Sequence, residues 1–204
     1  MLRWERIIAA LVLGWGFIST ALAGVNGVVV DGAGKPVAGA EVILYYARSE
    51  VDVGNRLVEK VTSGPDGKYA FNSGLDWEVV KQSGQLSPRF SVIARQPASG
   101  LGYANLQPGD RVDNVTVTIE RRTTTTPTVV DAAGKPLAGA KVWLYAALPE
   151  KLTGSTVLNS ILLLTDDVGL GGVTNEQGQV ELIVPADRQY YLCAKKDGLA
   201  RSFG

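Results

Sequence analysis

The chain has 204 residues, 46% hydrophobic and 20% charged, enough apolar material to bury a core in one or two domains and far from a disordered composition. Twenty Lys and Arg balance twenty Asp and Glu, so there is neither the basic footprint of a nucleic-acid binder nor an acidic tail. Histidine is absent, which removes His-dependent zinc sites and Ser-His-Asp or Cys-His nucleophiles from the available chemistry.

The first 23 residues read as a secretory signal peptide. Arg3 and Arg6 give a positive start, Ile7 to Ile18 is an apolar run, and Ala21-Leu22-Ala23 before Gly24 is a small-residue cleavage site. The run falls short of the roughly 20 residues that span a bilayer, so no membrane span is expected after cleavage. The expected location is secreted, periplasmic or cell-surface. Cleavage leaves Trp77 and Trp143 as the tryptophans of the mature chain, and Cys193 as a lone thiol without an internal disulfide partner.

From Gly24 onward the pattern is short strands and tight turns. Val28 to Val30 is β-branched, Asp31 to Pro36 is turn chemistry, and Ala40 to Tyr45 alternates, with Ala40, Val42 and Leu44 on one face and Glu41, Ile43 and Tyr45 on the other. The charged Glu41 marks the second face as the outer one. Val61-Thr62, the turn Gly64 to Gly67, Lys68 to Phe71, Phe90 to Arg95 and Val112 to Glu120 continue the series. An insertion at Ser73 to Arg89 carries Trp77. Arg121 to Pro127, rich in Thr, is expected as an extended linker.

Thr128 to Ala147 then repeats Val28 to Ala47, with 14 of 20 positions identical, so the chain is a tandem duplication. In the second copy, Val173 to Gly178 is matched to the Thr62 to Gly67 turn with one residue fewer, Thr174 being set against Thr62. Val180 and Leu182 stand for Tyr69 and Phe71, and Tyr190, Leu192 and Ala194 for Phe90, Val92 and Ala94. The second insertion, Leu148 to Gly172, holds Ile161 to Leu164 and is expected to add a strand or cap an edge. Gly198-Leu199 is matched to Gly100-Leu101, so nothing stands for the Val112 to Glu120 strand, and the expectation is a fragment whose natural chain continues. The fold class is all-β: two tandem antiparallel seven-stranded sandwiches, the second lacking its last strand, over residues 24–120 and 128–204.

The motif V-x-D-x-x-G-K-P-x-x-G-A-x-V-x-L, at Val29 to Leu44 and Val129 to Leu144, with T-x(4,5)-G-x-Y-x-F at Thr62 to Phe71, resembles the carboxypeptidase regulatory-like domain. The resemblance implies a transthyretin-like (prealbumin-like) sandwich of the carbohydrate-binding-like group, found as an accessory module on many exported proteins. Related adhesin repeats form an isopeptide from a Lys two residues before the Asp, where this chain has Val29 and Val129. The motif itself has a physical reading: Gly34 and Gly134 supply positive φ, Pro36 and Pro136 preset the following residue, and Gly39-Ala40 and Gly139-Ala140 let the chain pass closely.

No spacing supports catalysis, a metal or a cofactor. Asp66-Gly67 and Asp166-Asp167 are acidic turns without the alternating oxygen ligands of a calcium loop. Cys193, matched to Ile93, reads as a small apolar residue. The surviving class is binding or spacing: a non-catalytic exported module, a glycan binder using the outward aromatics Trp143, Tyr145, Tyr45 and Trp77, or the front of a larger envelope receptor or enzyme. The partners so implied are glycans, another envelope protein or the rest of a longer chain.

Overall fold

A computed structural model of the chain describes residues 24–47, 56–75, 89–96, 100–151, 160–163, 168–199 and 201–204. The leader-like residues 1–23, Trp77 and Asp166-Asp167 lie outside the described residues. Fourteen strands and no helix are found among those that are described, as expected from β-branched runs broken by Gly, Pro and Asp turns. The first copy contributes β1 (Asn26–Val30), β2 (Glu41–Ala47), β3 (Arg56–Thr62), β4 (Lys68–Ala70), β5 (Arg89–Gln96), β6 (Gly100–Leu106) and β7 (Val115–Thr118). They form two sheets, in the orders β4-β1-β7 and β3-β2-β5-β6, and so make the expected seven-stranded sandwich. One pair departs from the antiparallel expectation: β7 runs parallel to β1, because the chain crosses from β6 into the other sheet and arrives in the direction of β1.

The core between these sheets is built from the inward positions of each strand. Val29, Val42, Leu44, Tyr46, Tyr69, Phe71, Phe90, Val92 and Val117 are all buried in one cluster. Each such side chain contributes about 1.5–3 kcal/mol on burial. The Tyr69 hydroxyl donates to the Val115 carbonyl at 2.9 Å, so the polar tip of that ring is satisfied inside the core and ties β4 to β7.

The second copy contains β8 (Arg122–Thr125), β9 (Lys141–Pro149), β10 (Ile161–Leu162), β11 (Gly171–Val173), β12 (Leu182–Pro185), β13 (Arg188–Lys195) and β14 (Ser202–Phe203). Most of the segment expected as a linker is strand β8, extended as the Thr run suggests and paired antiparallel with β12. β10 and β11 both pair with β9, so the apolar insertion does add a strand. β14 sits on β13 with Phe203 opposite Cys193 and Ser202 opposite Ala194, the register in which Tyr103 and Gly102 face Ile93 and Ala94. For β9, β13 and β14 the equivalence is thus an offset of 100 from β2, β5 and β6, which places Arg201, not Leu199, at the position of Leu101.

The turns repeat to the last hydrogen bond. Asp31 Oδ1 accepts the amides of Ala33 and Lys35, both at 2.9 Å, and Asp131 Oδ1 accepts those of Ala133 and Lys135 at the same distances. Gly34 and Gly134 have φ of 79° and 78°. Gly39 and Gly139 also have positive φ, and an added Cβ would meet nothing within 4 Å, so conformation and not close passage requires glycine there. The Ser63 hydroxyl accepts the Ala40 amide and donates to the Val37 carbonyl, and Thr174 does the same for Ala140 and Leu137. Thr174 therefore answers Ser63 and not Thr62. The two turns from these residues to Gly67 and Gly178 have equal length, which corrects the expected deletion.

Candidate functional site

The face of β2 read as outward is not exposed. Ile43, Tyr45 and Ile93 are fully buried and Leu101 nearly so, in one cluster with Ala147, Ile161, Leu163, Val168 and Val184 of the second copy. The two sandwiches therefore share a seam, and β2 carries no charged residue from Val42 to Tyr46 because it is covered on both sides. Hydrogen bonds close the rim of that seam. Asn105 Nδ2 donates to the Ser160 carbonyl at 2.7 Å, the Arg95 guanidinium donates to the Gly169 carbonyl, and the Tyr103 hydroxyl donates to the Ala147 carbonyl at 3.4 Å. Arg188 makes a two-pronged ion pair with Glu120 and lies over the Tyr103 ring at 5.4 Å. The carboxylate beside it holds the Arg188 guanidinium above its ordinary pKa. This is the apolar centre and polar rim of a protein interface, formed within one chain.

Tyr45, one of the four aromatics expected to meet a ligand, is spent in this seam with no exposed surface. Trp143 is 3% exposed, and its indole N–H donates to the Leu163 carbonyl at 3.1 Å, so the insertion covers it. Tyr145 is half-buried and meets Phe203 edge-on at 5.0 Å. Trp143 and Tyr145 do share the outer face of β9, and the structure brings to them residues that spacing alone did not connect: Arg201, over the Trp143 ring at 5.7 Å, and Phe203. A signal for them existed in the repeat, since Leu101 and Tyr103 occupy the same register positions in the first copy.

Cys193 lies on this same face, fully buried between its register partners Trp143 and Phe203. Burial pushes its thiol up to about 11, with Arg201 opposing, so it stays protonated at neutral pH and behaves as a small apolar residue.

Several concavities among the described residues are of a size to hold a ligand group, one of them a 600 Å³ cavity between Glu41, Arg95 and Leu101 of the first copy and Gly169, Glu181 and Leu182 of the second. A groove of 990 Å³ at the junction of the copies is lined by Asp31, Tyr103, Asn105, Glu120, Arg121, Asp187 and Arg188 among others. Four of its charges are paired with each other, Arg188 with Glu120 and Arg121 with Asp187 at 3.6 Å, and the Asp31 carboxylate is taken by backbone amides of its own turn. A smaller cavity of 320 Å³ sits at the far end of the second sandwich, against Gly139, Lys141, Trp143, Lys195, Lys196, Asp197 and Arg201. Its described lining holds four cationic side chains and the Asp197 carboxylate. Among the described residues no cluster of three Cys, Asp or Glu could hold a metal ion, and no helix is long and apolar enough to cross a membrane.

No family model matches the chain, and no curated protein matches it. Among solved structures the chain is similar to a streptococcal ancillary pilin, at 12% identity and a TM-score of 0.34, over 86% of this chain and 53% of that one. It is similar to a mutant of the shaft pilin of Lactobacillus rhamnosus GG, at 13% identity and 0.29, over 88% and 92% of the two chains. The pilus backbone protein of Streptococcus pneumoniae gives 15% identity and 0.27, over 91% of this chain and 57% of that one. This chain spans about half the length of the first and third of these.

Proposed function

We propose that the chain is an exported, non-catalytic module in which two sandwiches are fused into a rigid spacer that presents one binding face. The observation that carries the reading is the seam: Ile43, Tyr45, Ile93 and Leu101 are buried against the second copy, so the strand face that a single such domain could offer to a ligand is used to fix the two copies to each other. A flexible pair of beads would have kept that face polar. Export rests on the charged, apolar and small-residue pattern of residues 1–23, and the accessory-module reading rests on the resemblance of the duplicated motif to carboxypeptidase regulatory-like domains. The absence of histidine supports the non-catalytic part.

The test is a distance measurement together with an activity screen. Spin labels on Lys68→Cys and Gln177→Cys, one in each copy, should give a narrow distance distribution that keeps its mean across salt concentrations. A broad distribution would show a hinged pair and end the spacer reading. Turnover of peptide or glycan substrates that disappears on a point substitution would end the non-catalytic one.

A further inference from the structure

β7 runs parallel to β1, so both strands begin at the same end of the first sandwich. There Asn114 forms the bend that leads into β7, and among the described residues it is the only one other than glycine with positive φ, 65°. Asparagine tolerates that conformation better than most side chains, which accounts for its place in the bend. The bend uses only its backbone, however. The Asn114 amide donates to Asn26 Oδ1 at 3.2 Å and the Asn26 amide donates to the Val112 carbonyl at 3.0 Å, while the exposed Asn114 carboxamide bonds to nothing among the described residues. Two positions on, Thr116 is exposed too, whereas Val115 between them is buried with its carbonyl taken by the Tyr69 hydroxyl. An exposed strand position accepts any β-former, so the ladder sets no demand for a hydroxyl at Thr116. Asn114-Val115-Thr116 is an Asn-x-Thr triplet without proline, the acceptor pattern of N-linked glycosylation, and none of the other six asparagines has Ser or Thr two residues on.

We propose that Asn114 is the acceptor of an N-linked oligosaccharide, added as the chain is exported. In the transfer Asn114 Nδ2 bonds to the anomeric carbon of a lipid-linked oligosaccharide pyrophosphate. The carbon–oxygen bond to the pyrophosphate breaks, the leaving group takes the electron pair, and Nδ2 gives up one of its two protons. The substrate is the extended chain, before β7 pairs with β1, and Thr116 supplies the hydroxyl by which the triplet is recognised. Folding leaves the modified side chain in solvent, at the end of the sandwich where β1 and β7 begin. No residue of the triplet belongs to the seam cluster, so an oligosaccharide there is compatible with the fusion of the two copies. The inference rests on the export part of the proposed function and leaves the spacer part untouched.

The experiment produces the full chain, leader included, in a eukaryotic secretory host that transfers lipid-linked oligosaccharides. The tryptic fragment 112–121 of the secreted protein is read by mass spectrometry before and after enzymatic release of N-glycans. The parent fragment is expected to carry an added mass of hexose and N-acetylhexosamine, which release removes, leaving an aspartate at position 114. Thr116→Ala, which keeps Asn114, should leave the fragment unmodified, and Thr116→Ser should restore the modification. Asn114→Gly supplies the structural readout, because glycine is at ease at positive φ. It should lose the oligosaccharide and melt with the enzymatically deglycosylated parent, whereas a melt well below it would give the carboxamide a structural role and remove the argument. A secreted parent with an unmodified fragment, or a Thr116→Ala fragment modified as fully as the parent, overturns the proposal and leaves export standing. Retention in the cell with the leader attached overturns the export reading and the acceptor with it. In every case the spin-label distance decides the spacer reading separately.

Discussion

Ser63 and Thr174 show how one hydroxyl closes a sandwich corner. Each is buried, each accepts the amide that opens the following strand pair, and each donates to a carbonyl on the approach to it. Ser63→Ala would leave a buried N–H and a buried C=O without partners, a cost of about 2–4 kcal/mol. Ser63→Thr should be nearly neutral, since the second copy already uses threonine, and Thr62→Ala, on the exposed side of the same strand, should move stability by less than about 0.5 kcal/mol. Urea unfolding of the three variants checks the order, and a Thr62→Ala loss as large as that of Ser63→Ala would contradict it. This residue was hidden in the sequence for a simple reason. Matching identities sets Thr62 against Thr174, whereas alternation along the strand turns Thr62 outward and Ser63 inward. Asp31 and Asp131 were easier to locate, because their role in the turn depends only on residues within four positions of them.

At the level of strands, those rich in Val, Ile, Tyr and Phe were legible and β6 was not. Its sequence, GLGYANL, has few β-formers, and it is a strand because β5 offers a full ladder to pair with. Its glycines have a second purpose. A Cβ on Gly102 would lie 2.0 Å from the Thr118 carbonyl oxygen, and one on Gly27 would lie 1.8 Å from that of Val115, so both glycines make room for the backbone of β7. The second copy has Pro127 and Ser202 at these positions, and among the described residues no strand lies beside Thr128 to Val130 on that side. Val129 is accordingly half-buried where Val29 is fully buried. Gly27→Ala and Gly102→Ala should each cost about 1–3 kcal/mol by overpacking, read from thermal or urea unfolding, while Gly32→Ala, with open space around its Cβ position, should cost little. Equal effects at the three glycines would rule out the steric account.

Strand β3 also sends a carboxylate across to the turn after β4. Glu59 accepts the amides of Asn72 and Ser73 at 3.1 and 2.7 Å, and although burial acts against it these bonds hold its pKa below 4.5. A carboxylate lowered in the folded state contributes stability that is fully present above its unfolded pKa and is lost as pH falls through the folded one. The urea midpoint should therefore drop as pH is lowered from about 5 to about 3. Glu59→Gln should flatten part of that slope, and an unchanged slope in this variant would exclude Glu59 as a source of it. Glu41, lowered by Lys60 and Arg95 against its own burial, contributes in the same direction and accounts for some of the slope that remains.

The whole molecule turns on which sheet face meets what. Alternation separates the faces of β2 correctly: Val42, Leu44 and Tyr46 enter the core of the first sandwich, and Ile43 and Tyr45 do not. It could not say that a second sandwich waits on the other side, since that depends on partners about a hundred positions away, although a strand apolar on both faces was itself a sign of double burial. This separation makes the seam alterable from β2 without touching the core of the first sandwich, whereas on the second copy's side Leu144 itself lies in the seam cluster. Tyr45→Ala deletes a fully buried ring from the seam at a cost of about 3–5 kcal/mol in the contact between the copies, and leaves the opposite face of β2 as it was. Calorimetry of the parent should show one cooperative transition, because neither sandwich can open without exposing the shared cluster. In Tyr45→Ala the transition should split, with the second sandwich, whose own cluster of Val142, Val180 and Leu182 is small, melting first. Leu44→Ala provides the contrast: it weakens the first sandwich from inside and should lower a single transition as a unit. A single unshifted transition in Tyr45→Ala would mean that the seam couples nothing, and the rigid spacer would lose its physical basis.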